Sequence, residues 1–159
     1  MIKYIIAVFS VLALGATASV SAEPEKFLKI ENAYAYATTS VQKNGAVFAT
    51  IENLGIEHLS GKDLAIMSTQ SPVAERAELH THLMDDGIMM MRKVDRYDIA
   101  DGERLVLEPT GNHIMLFGLK EPLKAGTSFP VTVFIGDGYS HGYGGVTFDV
   151  KVVNPGASE

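Results

Sequence analysis

The chain has 159 residues, no cysteine and a formal net charge of −6 at pH 7. This length suits one domain, and an acidic chain without a basic patch disfavours binding to nucleic acid or to anionic membrane surfaces. Without cysteine there are no disulfides and no thiolate metal ligands, so the domain must depend on its hydrophobic core.

The first predicted element is a secretory signal peptide over residues 1–22. Lys3 precedes an apolar run from Tyr4 to about Ala16, and small residues follow as far as Ala22, which is the order typical of a signal peptide. The apolar run is shorter than the roughly 20 residues of a spanning helix, which disfavours an uncleaved anchor. We therefore predict cleavage after about Ala22, no stable membrane insertion and, since no cysteine follows the signal, no lipoprotein anchor.

Short strands separated by turn residues make up the predicted domain, residues 23–153. They are Ile30–Thr38, Ala46–Glu52, Asp63–Ser68, Ala74–His82, Met89–Val94, Arg104–Glu108, His113–Leu119, Phe129–Ile135 and Gly145–Val153. Several have one apolar face, as alternation along an antiparallel sheet requires. The pattern predicts a single-domain, all-β fold, an immunoglobulin-like antiparallel β-sandwich or a barrel. Residues 154–159 are predicted to be a flexible tail.

His80 and Met91 lie on the two arms of a predicted β-hairpin. Its turn is placed at residues 85–87, which include Asp-Gly, a strong hairpin signal. Because side chains alternate along a strand, His80 and His82 project to the same side of their strand, and so do Met89 and Met91 on theirs. Folding the hairpin brings one of these histidines near one of these methionines, and the sequence leaves open which pair meets.

A second pair of ligand-type side chains begins a later strand. His113 and Met115 are two residues apart and project to the same side, directly after the predicted loop Pro109–Asn112. Soft thioether ligands select Cu(I) over zinc, calcium or magnesium. A site without thiolate should also exchange its metal more readily, which suits a carrier.

The spacing of these side chains resembles the signature of the periplasmic copper chaperone family PCuAC, His-x10-Met-x21-His-x-Met. Its four positions are filled by His80, Met91, His113 and Met115. Similarity extends over about Ile30 to Val153, with Asn112 where the family often has a second glycine. The resemblance implies a cupredoxin-like β-sandwich in the periplasm, with these four residues as ligands of a surface-exposed Cu(I) site.

The same resemblance implies a destination for the copper. It points to transfer towards the dinuclear copper centre of cytochrome c oxidase, with an oxidase subunit or another periplasmic copper chaperone as the copper-accepting partner.

Three neighbouring side chains are predicted accessories of this site. His82 is a neighbour, a hydrogen-bond partner or a transient ligand. Met89 has the parity of Met91 and lines the approach, with core packing as its alternative. Glu78 either orients an imidazole as a hydrogen-bond acceptor or is a solvated strand residue.

Two other classes of function remain as alternatives. An exported zinc or copper enzyme is disfavoured, because a catalytic zinc site needs three His or carboxylate ligands and no acid matches the His80–His82 pair. No activated nucleophile is visible either, so we predict that the protein is not an enzyme. A structural β-sandwich interaction domain explains the fold and the export but leaves the ligand spacing unexplained.

Overall fold

The computed structural model describes residues 27–55, 63–85, 87–139 and 141–156. The predicted signal peptide and its cleavage site, Asp86 of the predicted turn and residues 157–159 of the tail lie outside the described residues. Within the described ranges, no helix has the length and apolar character needed to cross a bilayer.

Ten β-strands make up the regular structure of these ranges. They are β1 (Leu28–Tyr36), β2 (Asn44–Asn53), β3 (Leu64–Gln70), β4 (Ala74–Asp85), β5 (Ile88–Lys93), β6 (Tyr97–Ile99), β7 (Arg104–Leu107), β8 (His113–Leu119), β9 (Ser128–Gly136) and β10 (Gly142–Val153). Nine correspond to predicted strands, with ends displaced by at most three residues. The sequence analysis missed β6, because three residues are too few to show an alternating pattern.

The strands form one continuous sheet that folds back on itself. Their order is β5-β4-β8-β2-β1-β10-β9-β3-β6, and β7 also pairs with β2. Tyr97, on β6 at one end of this order, makes hydrogen bonds to the backbone of His80 on β4 and His113 on β8, near the other end. The folded sheet therefore encloses one core, and the predicted all-β class is confirmed.

Alternation along the strands separates this core from the outer face of the sheet. On β9, Phe129, Val131, Val133 and Ile135 are all buried, as their shared parity predicts. On β8, Ile114 and Leu116 are fully buried in the core. Since successive side chains point to opposite faces, His113 and Met115, which alternate with them, lie on the outer face.

Asn53 ties the end of β2 to the chain around β6. Its side chain is fully buried, and its Nδ2 donates a hydrogen bond of 2.9 Å to the carbonyl of Ile99. Its Oδ1 accepts a 2.9 Å hydrogen bond from the backbone N–H of Gly55. A buried amide stabilises a fold only when both of its ends are satisfied, as they are here.

We expect Asn53→Ala to lower the free energy of unfolding by about 1–3 kcal/mol, because the Ile99 carbonyl and the Gly55 amide lose their partner. Urea denaturation of the variant and the parent chain measures this difference. Asn154→Ala is the control, since Asn154 is exposed after β10, and its effect should stay within about 0.5 kcal/mol. Equal stability of the two variants would contradict the role of Asn53.

Candidate metal centre

The hairpin of β4 and β5 turns more tightly than predicted. Asp85 pairs with Ile88, which leaves two residues between the strands. Gly87 has a φ of 79°, in the left-handed region that two-residue Asp-Gly turns require. Asp85, predicted as part of the turn, is therefore the last residue of β4.

This turn fixes which histidine meets which methionine. His82 is the cross-strand partner of Met91, and His80 lies opposite Lys93. His80 and Met91 are therefore diagonal neighbours on the same face of the hairpin. The question that the sequence left open is answered by the register, which the length of the turn sets.

His80 and His113 stand side by side on neighbouring strands. They are directly paired between β4 and β8, and their ring centroids are 5.9 Å apart. The ring of His82 is 5.1 Å from that of His113. His80 is 8% exposed and His113 is 2% exposed, so both imidazoles are more deeply buried than the family resemblance implies.

A cavity of about 240 Å³ opens beside these rings. Its potential metal ligands are His82, Met91, His113 and Met115, and its walls include Tyr36 and Phe48. Met91 is 47% exposed and Met115 is half-buried. Three of the four predicted ligands thus line one pocket, whereas His80 lies next to His113 outside the lining.

Hydrogen bonds set the tautomers of both buried histidines. Nδ1 of His113 lies 3.0 Å from the carbonyl oxygen of Gly111, to which it must donate. Nε2 of His80 lies 3.0 Å from Oε2 of Glu78 and donates to it. Because a neutral imidazole has one donor and one acceptor nitrogen, the lone pairs lie on His113 Nε2 and His80 Nδ1.

These two lone-pair nitrogens are unsatisfied. Both atoms are buried, and neither has a hydrogen-bond partner among the described residues. A buried polar atom without a partner costs about 1–3 kcal/mol and is uncommon in native proteins. A metal ion bound to the two nitrogens would satisfy them, and each opposite ring nitrogen is already held, as is usual for metal-binding histidines.

Burial keeps His113 in the form that a metal needs. It lowers the pKa of His113 below its ordinary value, the Gly111 hydrogen bond opposes this, and the nearby His82 and His80 lower it further. The ring is therefore neutral near pH 7, and no proton must be displaced before metal binds.

The carboxylate of Glu78 contacts three donor side chains. Oε1 lies 2.8 Å from Nε of Arg76 and 3.5 Å from Nζ of Lys93, and Oε2 bonds His80. The hydrogen bond from His80 is the main cause that holds the pKa of Glu78 below its ordinary value, with further lowering by Lys93 and Arg76. The ionised carboxylate of Glu78 thus contacts the His80 ring directly. This contact is the one that Glu78 needs if it orients the imidazole as a hydrogen-bond acceptor.

The hydroxyl of Tyr97 contacts the main chain of both buried histidines. Its buried hydroxyl bonds the carbonyl of His80 and lies 2.9 Å from the carbonyl of His113. It also accepts a 3.2 Å hydrogen bond from the backbone N–H of His113. Burial raises the pKa of Tyr97 to about 12. Sequence reasoning missed this residue because it lies on the short strand β6.

We expect the shifted pKa of Tyr97 to make the fold sensitive to alkali. The unfolded chain loses this phenolic proton near pH 10.0 and the folded chain near pH 12. Stability from this group is therefore complete below pH 10 and falls as the pH rises towards 12. Urea unfolding across this range measures the loss.

Two variants test this assignment. Tyr97→Phe should lower stability at neutral pH and remove part of the alkaline loss. Tyr139→Phe changes a tyrosine that is 84% exposed, so it should retain that loss. An alkaline profile that is the same in Tyr97→Phe and the parent chain would contradict the assignment.

Among the described residues, no three His, Asp or Glu side chains are grouped so that they hold a metal ion. Beside its imidazoles, the cavity offers the thioether sulfurs of Met91 and Met115 as donors. Thioether sulfur is a soft donor that suits Cu(I) and is a poor ligand for zinc, calcium or magnesium. The donor set thus fits copper better than it fits a catalytic zinc ion.

Sequence comparison relates most of the chain to one family. The sequence profile of the family described as "Putative lipoprotein LpqE-like" matches residues 28–152. "Putative lipoprotein Lxx21020" from Leifsonia xyli subsp. xyli (strain CTCB07) is 36% identical over 94 residues. That match covers 58% of this chain and 54% of the relative, so the chain spans about half the length of this curated relative.

Solved structures of PCuAC domains share the fold. The copper-bound PCuAC domain from PmoF2 is 16% identical, with a TM-score of 0.62 over 80% of this chain and 93% of that domain. The solution structure of CuI-DR1885 from Deinococcus radiodurans is 24% identical, with a TM-score of 0.60 over 89% and 87% of the two chains. At these identities the likeness shows a common architecture, and the predicted cupredoxin-like fold is confirmed.

Proposed function

The chain belongs to the LpqE-like family, and from this premise we propose that it is an exported carrier that binds copper as Cu(I) and passes it to another protein. The observation that carries the proposal is the pair of buried imidazole nitrogens without partners, His80 Nδ1 and His113 Nε2, close to two thioethers. The copper named in the neighbouring PCuAC structures supports the choice of metal. The function is binding and transfer, without catalysis.

The proposed resident ligands are the four residues of the PCuAC-like signature. His80 and His113 present neutral nitrogen donors, and Met91 and Met115 present neutral, soft sulfur donors. The carboxylate of Glu78 bonds the far nitrogen of His80, so its charge acts on the copper only through the imidazole. Because all four proposed ligands are neutral, the copper complex keeps the charge of the Cu(I) ion. Release therefore does not have to separate a cation from an anionic ligand.

Transfer proceeds by stepwise ligand exchange. Met91 is the most exposed of the four side chains, so an acceptor's first ligand replaces its sulfur while the buried imidazoles still hold the copper. The proposed acceptor is an oxidase subunit that leads to the dinuclear copper centre, or another periplasmic copper chaperone. Export through a signal peptide cleaved after about Ala22 is part of the proposal, and the lipoprotein names of the relatives support export.

We expect the parent chain to bind one Cu(I) and the double variant Met91→Leu/Met115→Leu to lose affinity. Leucine keeps the volume of methionine but removes the thioether. Losing two ligands should weaken binding by at least about 100-fold, since changes outside the ligand shell already cost about 10–100-fold. Anaerobic titration against a Cu(I) chelator measures the affinity, and X-ray absorption counts sulfur neighbours.

Met67→Leu is the matched control for this experiment. Met67 is 39% exposed on β3 and does not line the cavity, so its replacement should leave the titration unchanged. Stoichiometric Cu(I) binding of parental strength in the double variant would contradict the proposed function.

Glu78→Gln tests the orienting hydrogen bond to His80. The amide oxygen still accepts from the ring but lacks the charge that strengthens the bond, so we expect Cu(I) affinity to fall about tenfold. Glu75→Gln, at the other glutamate of β4, removes the same charge and should change affinity little. Equal affinities in the two variants would show that Glu78 does not act through His80.

A further inference from the structure

His82 occupies a position that the proposed ligand set leaves unused. We propose that His82 is a transient copper ligand, bound before His80 when copper enters and after His80 when copper leaves. In this route, copper binds His82 and Met91 at the pocket and then passes to His80, while His113 and Met115 hold it throughout. The inference rests on the proposed function and deepens it.

The position of His82 places it ahead of His80 on the path from solvent. His82 is half-buried and lines the cavity with Met91, His113 and Met115, whereas His80 is outside that lining. The ring of His82 is also nearer to that of His113, at 5.1 Å against 5.9 Å for His80. Copper that enters the cavity therefore meets His82 first.

The outer face of the hairpin extends this path towards the turn. Met84 pairs with Met89 one step beyond the His82–Met91 pair, and all four side chains share a face. Met84 is 66% exposed and Met89 is 55% exposed. The thioethers of Met84, Met89 and Met91 thus lead from the exposed end of the hairpin to the cavity. His82 is the first nitrogen donor along this path.

One carbonyl group prepares two imidazoles for binding. The oxygen of Gly111 accepts from Nδ1 of His113 at 3.0 Å and from Nδ1 of His82 at 3.3 Å. It also accepts from the backbone N–H of His82 at 3.3 Å. Both rings are therefore held with the lone pair on Nε2, the arrangement that a metal ligand needs.

The move from His82 to His80 requires no proton and no electron. The bond between copper and His82 Nε2 breaks, and a bond to His80 Nδ1 forms, each nitrogen using its own lone pair while the metal stays Cu(I). In the proposed route, His82 and His80 are successive ligands of one ion.

Replacing His82 by Leu and by Met distinguishes a ligand from a packing residue. The two side chains have similar volume, but only Met can bind Cu(I). We expect equilibrium Cu(I) affinity to stay within about threefold in both variants, and release to bathocuproine disulfonate in stopped flow to slow about tenfold in His82→Leu only. His82→Met should recover most of the parental rate.

The outcomes separate this inference from the proposed function. Parental release rates in His82→Leu would overturn the capture role. A loss of affinity of about 100-fold in His82→Leu, with binding intact in His80→Ala, would make His82 the resident ligand and also overturn it. Failure of the unsubstituted protein to bind Cu(I) would instead overturn the proposed function itself.

Controls exclude general effects of losing a histidine. His141 lies in the connection from β9 to β10, where its ring pairs with Asp137, and it does not line the cavity. His141→Leu should release copper at the parental rate. Thermal melting of the copper-free variants checks that His82→Leu and His82→Met are equally folded.

Discussion

A single buried hydroxyl, that of Tyr97, reaches from β6 to the main chain of β4 and β8. β6 has three residues and pairs with β3, and the hydroxyl joins it to the far end of the sheet order. The main-chain groups that the hydroxyl binds belong to His80 and His113, whose pairing sets the two imidazoles side by side. The same contact therefore contributes to closure of the sheet and to the spacing of the two imidazoles.

Much of the fold follows from alternation in the sequence. Runs such as Phe129–Ile135 put their apolar residues on one face, and the same alternation directs His113 and Met115 outward. β6 could not be predicted in this way, because a strand of three residues is too short to show an alternating pattern. Where the structure differs most from expectation, in the hairpin of β4 and β5, a one-residue difference in turn length changes which side chains are opposite each other.

The candidate site was predictable in composition but not in arrangement. From the sequence alone, the spacing of His80, Met91, His113 and Met115 predicts a copper site. It does not show that His82 lines the cavity or that His80 stays outside the lining. The sequence also does not reveal that the Gly111 carbonyl accepts hydrogen bonds from the histidines, because any residue type can supply a backbone acceptor. The tautomers that leave two lone pairs unsatisfied follow only from such contacts.

Met91 combines two properties that a carrier cannot easily separate. Its exposure makes it the proposed point of exchange, and the same exposure makes its sulfur accessible to oxidants. Oxidation to the sulfoxide converts a soft, apolar donor into a polar one with a hard oxygen. The buried imidazoles would survive that change, while the side chain that begins the transfer would not. The proposed copper delivery would therefore fail under oxidative stress before the fold does, and a sulfoxide reductase would restore it.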